Sequence, residues 1–165
     1  MKKIMIAIIV VLLLAGCGGG GEQVQSGGQG QGYVFKYNDT SIPVNTDVDP
    51  ILKELGEPLD YFEAESCAFQ GLDKTYYFSG FELTTYPING KDYVSSIYFL
   101  DDSVSTPEGI YIGCPVDKVV EAYGEEYTGG ENAYIYQKED SSLIIIAEND
   151  EVISITYQAL VEGLE

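Results

Sequence analysis

The sequence predicts an α+β fold of two tandem repeats, each a short helix or helical hairpin packed on a three- to four-stranded antiparallel sheet. Three observations predict it. Ser41–Gly56 aligns without a gap against Gly109–Gly124, so one unit occurs twice. Each copy carries apolar residues at helical spacing, Val48, Ile51, Leu52 and Leu55, then Val116, Val119, Val120 and Tyr123, a stripe that buries against a sheet. Both stripes are followed by aromatic and β-branched runs cut by turn residues, the pattern of strands.

The chain has 165 residues and its start has the form of a removable segment. Met1-Lys2-Lys3 precedes an unbroken apolar run from Ile4 to Ala15, too short for an ordinary transmembrane helix and suited to the apolar core of a signal peptide. Leu14-Ala15-Gly16-Cys17 resembles a bacterial lipobox, which implies a signal peptide over 1–16 and a diacylglycerol on Cys17. The alternative is a secretory signal with a chance Cys. Residues 18–32 are almost wholly Gly, Gln and Ser, with nothing to bury; random-coil scaling gives this tether roughly 20 Å of reach.

Repeat unit 1 spans 33–104 and repeat unit 2 spans 105–165. In the first, a helix is expected near 47–55, with Thr46 and Asp49 resembling a capping box and Gly56 at the C-cap; Pro50 makes its start irregular. Strands are expected at 62–70, 75–86 and 93–100, with a hairpin turn at Asn89-Gly90 and a bulge or bend at Gly80. In the second, Pro115 suits a first helical turn and Gly124 a C-cap; strands follow at 133–138, 142–147 and 152–158. By alternation Ile97, Phe99, Ile155 and Tyr157 face the helices, while Tyr98 and Thr156 face away.

A hydrophobic lead-in, a short helix ending in Leu-Gly or Tyr-Gly, and three antiparallel strands resemble the small outer-membrane-assembly lipoproteins. Two such units in tandem resemble the β-lactamase-inhibitor-protein fold. The likeness is architectural over 33–158 and implies a sheet face that clamps an enzyme or other protein. No contact residue of either family matches a position here, and the absence of Arg departs from both.

With 27 acidic residues, 8 Lys, no His and a formal charge of -19, the composition argues against nucleic-acid and anionic-membrane surface partners. It also removes His from any nucleophile pair, metal site or proton relay. Acidic pairs such as Asp101-Asp102, Glu125-Glu126 and Asp150-Glu151 sit at turns, where solvation explains them, and no calcium-loop pattern occurs. No metal or cofactor is expected. Beyond Cys17, Cys67 and Cys114 admit three readings: a disulfide between them, two inert thiols, or a Cys114 thiolate at the position that Thr46 holds in the first copy, at a helix N-terminus. Of the 14 Tyr, Tyr98, Tyr77, Tyr134 and Tyr136 are the candidate contact residues. The functional expectation is a non-enzymatic domain, held by lipid to the extracytoplasmic face of the cell membrane. It binds a protein or envelope ligand through its sheet face, with a hydrolase inhibitor as the sharper form. The alternative is an assembly or scaffold lipoprotein of an envelope complex.

Overall fold

The computed structural model describes residues 32–164. The predicted signal peptide, Cys17 and the tether before Gly32 lie outside the described residues. The chain begins with a hairpin, β1 (Val34–Tyr37) and β2 (Thr40–Pro43), turned at Asn38, whose φ of 51° suits a tight hairpin turn. Helix α1 (Val48–Leu55) follows, then a meander of β3 (Asp60–Glu65), β4 (Leu72–Phe78), β5 (Phe81–Ile88) and β6 (Lys91–Phe99). Helix α2 (Asp117–Tyr123) opens a second meander, β7 (Ala133–Lys138), β8 (Ser141–Glu148) and β9 (Glu151–Ala159).

The expected α+β pair of helix-on-sheet repeats is overturned. Among the described residues strand accounts for 48% and helix for 11%, and the two meanders merge into one seven-stranded sheet of order β3-β4-β5-β6-β9-β8-β7. The join is made by the last strand of each half, Ile97 facing Tyr157 and Tyr98 facing Thr156 across an antiparallel ladder. Two separate sheets would each leave a row of unpaired N–H and C=O groups at that edge, and pairing satisfies both at once. The two halves share one core as well. Phe35 of the hairpin packs its ring 5.1 Å from Phe81, 5.0 Å from Phe99 and 5.9 Å from Tyr157, touching β5, β6 and β9 together. Val48 and Ile51 of α1, Val119 of α2, and Val104 and Ile110 of the connection between the halves belong to the same buried cluster. Each such side chain contributes roughly 1.5–3 kcal/mol on burial.

The hairpin and both helices thus cover one face of the sheet. Ile97, Phe99, Ile155 and Tyr157 are buried beneath them, while Tyr98 and Thr156 are on the opposite face. No described helix is long and apolar enough to cross a membrane.

Local features differ from the sequence pattern where tertiary bonds intervene. The expected strand 75–86 is two strands, because Gly80 at φ 85° makes a tight turn rather than a bend. A Cβ there would stand 2.3 Å from Ser103 Oγ and 2.8 Å from Val104, so only glycine fits. Helix α1 is capped by Asp47, whose side chain accepts from the Asp49 N–H at 3.1 Å. Thr46 is not the cap because its carbonyl is engaged by the Val94 N–H at 2.9 Å. In α2 the N-cap is Val116, which leaves Cys114 outside the helix and fully buried, its carbonyl accepting from the Val152 N–H at 2.9 Å.

β6 and β9 pair only over Ser96–Tyr98 and then part. Residues before α1 fill the wedge: the Asn45 N–H donates to the Val94 carbonyl at 2.7 Å. The Asn45 side chain, at φ 57°, accepts from the Tyr86 hydroxyl and donates to Asp140 at 2.6 Å, tying β5 to the β7–β8 turn.

Candidate functional site

The face opposite the helices is built by strand alternation, in which every second residue of each strand points to the same side. Registers across the sheet align these residues in rows. One row runs Asp60, Tyr77, Glu82, Tyr98, Thr156, Ile144 and Ile135. Beside it runs Phe62, Thr75, Thr84, Ser96, Gln158, Ser142 and Gln137. The first row is aromatic and aliphatic toward its middle and far end; the second is mostly hydroxyl and amide. Thr84 bonds Ser95 at 2.6 Å and Ser96 at 2.8 Å, where a bulge at Thr84/Thr85 places Ser95 as the additional residue on β6. Ser95, Ser96, Thr156, Gln158 and Leu164 line an open depression of about 240 Å³. Near one end Tyr86 and Tyr93, opposite one another, are roofed by Phe69, whose ring lies 5.3 Å from that of Tyr86.

Tyr98 is 37% exposed at the centre of this face, and Tyr77 shares its row. Tyr134 and Tyr136 do not. They pair with Ile145 and Leu143, residues of the buried side, and so face the helices. Tyr136 is 3% exposed and donates to the Gly124 carbonyl at 2.9 Å; Tyr134 packs 4.7 Å from Tyr127. Burial, then the neighbouring phenols of Tyr127, Tyr33 and Tyr134, push the Tyr136 hydroxyl up to about 12, which fits a structural group. Burial also raises Tyr123, whose hydroxyl donates to Glu108 at 2.6 Å. The strand signal at 133–138 was legible, but its phase was not, since both alternating sets of Ala133–Lys138 contain apolar residues. Of the open-face residues missed from sequence, Ile135 and its pair Ile144 would have followed from placing Tyr136 inward, whereas Phe62 lies on β3, whose phase Tyr136 does not set.

Cys67 and Cys114 are not brought together. Both thiols are free, Cys67 exposed in the loop after β3 and Cys114 at the foot of α2 in the core. Among the described residues no group of three or more His, Cys, Asp and Glu is arranged to hold a metal ion. No family model, curated protein or solved structure matches the chain.

Proposed function

We propose that this is a non-enzymatic binding domain, anchored by lipid at Cys17 to the extracytoplasmic face of the cell membrane, that engages another protein through the open face of its sheet. The observation that carries this is the row Tyr77–Glu82–Tyr98–Thr156–Ile144, in which a half-exposed tyrosine is flanked by hydroxyl and aliphatic groups. Tyrosine offers a large rigid contact with a polar tip at small entropic cost, the usual composition of a protein-binding patch. The strong negative charge of the chain favours a partner with a basic surface. An extracellular hydrolase as that partner rests on the likeness to the inhibitor fold alone.

The test places a photo-reactive residue at position 98 of the full chain in cells, with position 134 on the helix side as the control. Support requires one protein captured from 98 and not from 134, whose purified form then binds the full chain about tenfold or more weakly when Tyr98→Ala is introduced. Equal capture from both positions, or unchanged affinity, would refute the open face as the contact. Cys17→Ser should move the chain from the membrane to the soluble fraction; retention in the membrane would remove the anchor from the proposal.

A further inference from the structure

The sheet ends in two edges, β3 and β7, and they are treated differently. The β7 edge is closed by Thr128, which exchanges main-chain bonds with Ile135 in both directions at 3.0 Å. β3 pairs with β4 alone among the described residues, and all six of its residues are exposed. In an antiparallel ladder alternate residues bond to the same neighbour. The bond from the Ser66 N–H to the Gly71 carbonyl, 3.0 Å, continues the β3–β4 ladder and sets its parity. Phe62 and Ala64 therefore bond to β4, while Tyr61, Glu63 and Glu65 turn their main-chain groups outward. Asp60 takes the outward Tyr61 N–H at 2.8 Å, leaving the Glu63 and Glu65 amides and the outward carbonyls open to another strand.

Exposed edges are commonly defended by Lys, Pro or a bulge within the strand. Asp60–Glu65 contains neither Lys nor Pro, and its side chains select rather than block. Tyr61 at 43% and Phe62 at 60% exposure offer an apolar anchor on each face of the strand. Asp60, Glu63 and Glu65 supply negative charge. A second copy running antiparallel would set carboxylates against carboxylates, which destabilises a cross-strand pair, and two chains of formal charge -19 repel at range. A cationic strand reverses the sign of both effects.

We infer that the β3 edge accepts an extended cationic segment of a partner protein as an additional strand. Lys or Arg of that segment stands opposite Glu63 and Glu65 on the helix side, and an apolar residue stands against Phe62 on the open side. Main-chain bonds give this mode its affinity and the alternating side chains its selectivity. It is independent of the open-face contact, whose central residue, Tyr98, lies on β6.

The test is fluorescence anisotropy of the full chain with a labelled peptide of alternating Lys and Val. Its comparators are a Glu/Val peptide and a Lys/Val peptide N-methylated throughout its main chain, which keeps the charge and lacks every main-chain N–H. Expected is saturable binding of the Lys/Val peptide, weakened roughly tenfold or more by N-methylation, the net worth of about two hydrogen bonds. Binding should also weaken with Glu65→Lys and with Glu63→Pro, which removes an outward donor and spares the β4 ladder, more than with Glu63→Gln. Tyr98→Ala should leave it unchanged. Equal affinity for the N-methylated peptide would reduce the effect to charge alone and overturn the inference. So would absence of saturable binding, loss on Tyr98→Ala alone, or a dimer in sedimentation that the peptide dissociates, which would assign the edge to a second copy. If Glu63→Pro does not fold, the peptide comparison decides.

Discussion

Asn45→Ala tests whether the wedge between β6 and β9 holds the two halves in one sheet. The Asn45 side chain accepts from the Tyr86 hydroxyl and donates to Asp140 at 2.6 Å, and Tyr86 is only 2% exposed. Alanine removes that acceptor and leaves the phenol buried without it. A buried polar group so orphaned costs about 1–3 kcal/mol. Asn45 also sits at φ 57°, where a residue with a plain Cβ costs about 1 kcal/mol more. The expected destabilisation is therefore about 2–4 kcal/mol. Asn45→Gly keeps the backbone relaxed, so the difference between the two variants isolates the strain. Tyr86→Phe in the Asn45→Ala background should return part of the loss, because removing both partners of a buried bond is close to neutral. Urea unfolding of the unaltered chain, Asn45→Ala, Tyr86→Phe and the double variant, followed by far-ultraviolet circular dichroism, gives the coupling energy directly. A loss below about 0.5 kcal/mol for Asn45→Ala, or strictly additive effects, would show that the bridge carries no stability and refute the reasoning.

Two further outcomes follow from the buried phenols and thiols. Tyr86 and Tyr136 are pushed up to about 12, chiefly by burial, against about 10 in an unfolded chain. The unfolded state therefore releases these protons first, and stability falls as pH rises from about 10 toward about 12. Tyrosinate absorbance should rise together with loss of the circular dichroism signal, and appearance of all tyrosinates near 10 with the fold intact would contradict the burial. A thiol reagent should modify exposed Cys67 at once and buried Cys114 only as the protein unfolds. A chain lighter by two hydrogens, with Cys67 and Cys114 in one peptide pair under non-reducing conditions, would refute the free-thiol arrangement.

The sequence pattern located α1 to within a residue or two, and the Asn89-Gly90 turn, because helical stripes and left-handed turn residues are local signals. The phase of β6 and β9 was also local: Ile97 and Tyr157 alternate cleanly with polar neighbours. What the pattern could not carry was pairing between halves. Nothing in Ile97–Phe99 or Ile155–Tyr157 distinguishes a strand that ends a sheet from one that continues into the next, since the choice depends on which edge lies alongside. The cap at Asp47 was hidden for the same reason, because Thr46 yields to a bond with Val94, distant in sequence. Tyr134 and Tyr136 were misplaced because Ala133, Ile135 and Gln137 are no more polar than the set they alternate with.

The merged sheet changes what the protein can present. Two separate repeats would offer two small faces and four edges; one continuous sheet offers a single broad face and, among the described residues, leaves β3 as the edge that carries no bridge on its outer side. Phe62 belongs to both surfaces, standing on β3 in the row that passes through Thr84 and Ser96. A strand added at β3 would extend that row, because antiparallel pairing in register places each incoming side chain on the face of the residue it opposes. The edge and the face are therefore distinguishable by experiment but continuous in geometry. Glu63 and Glu65 stand on the face opposite Phe62, so a strand added there would meet charge on one side and the end of the open-face row on the other.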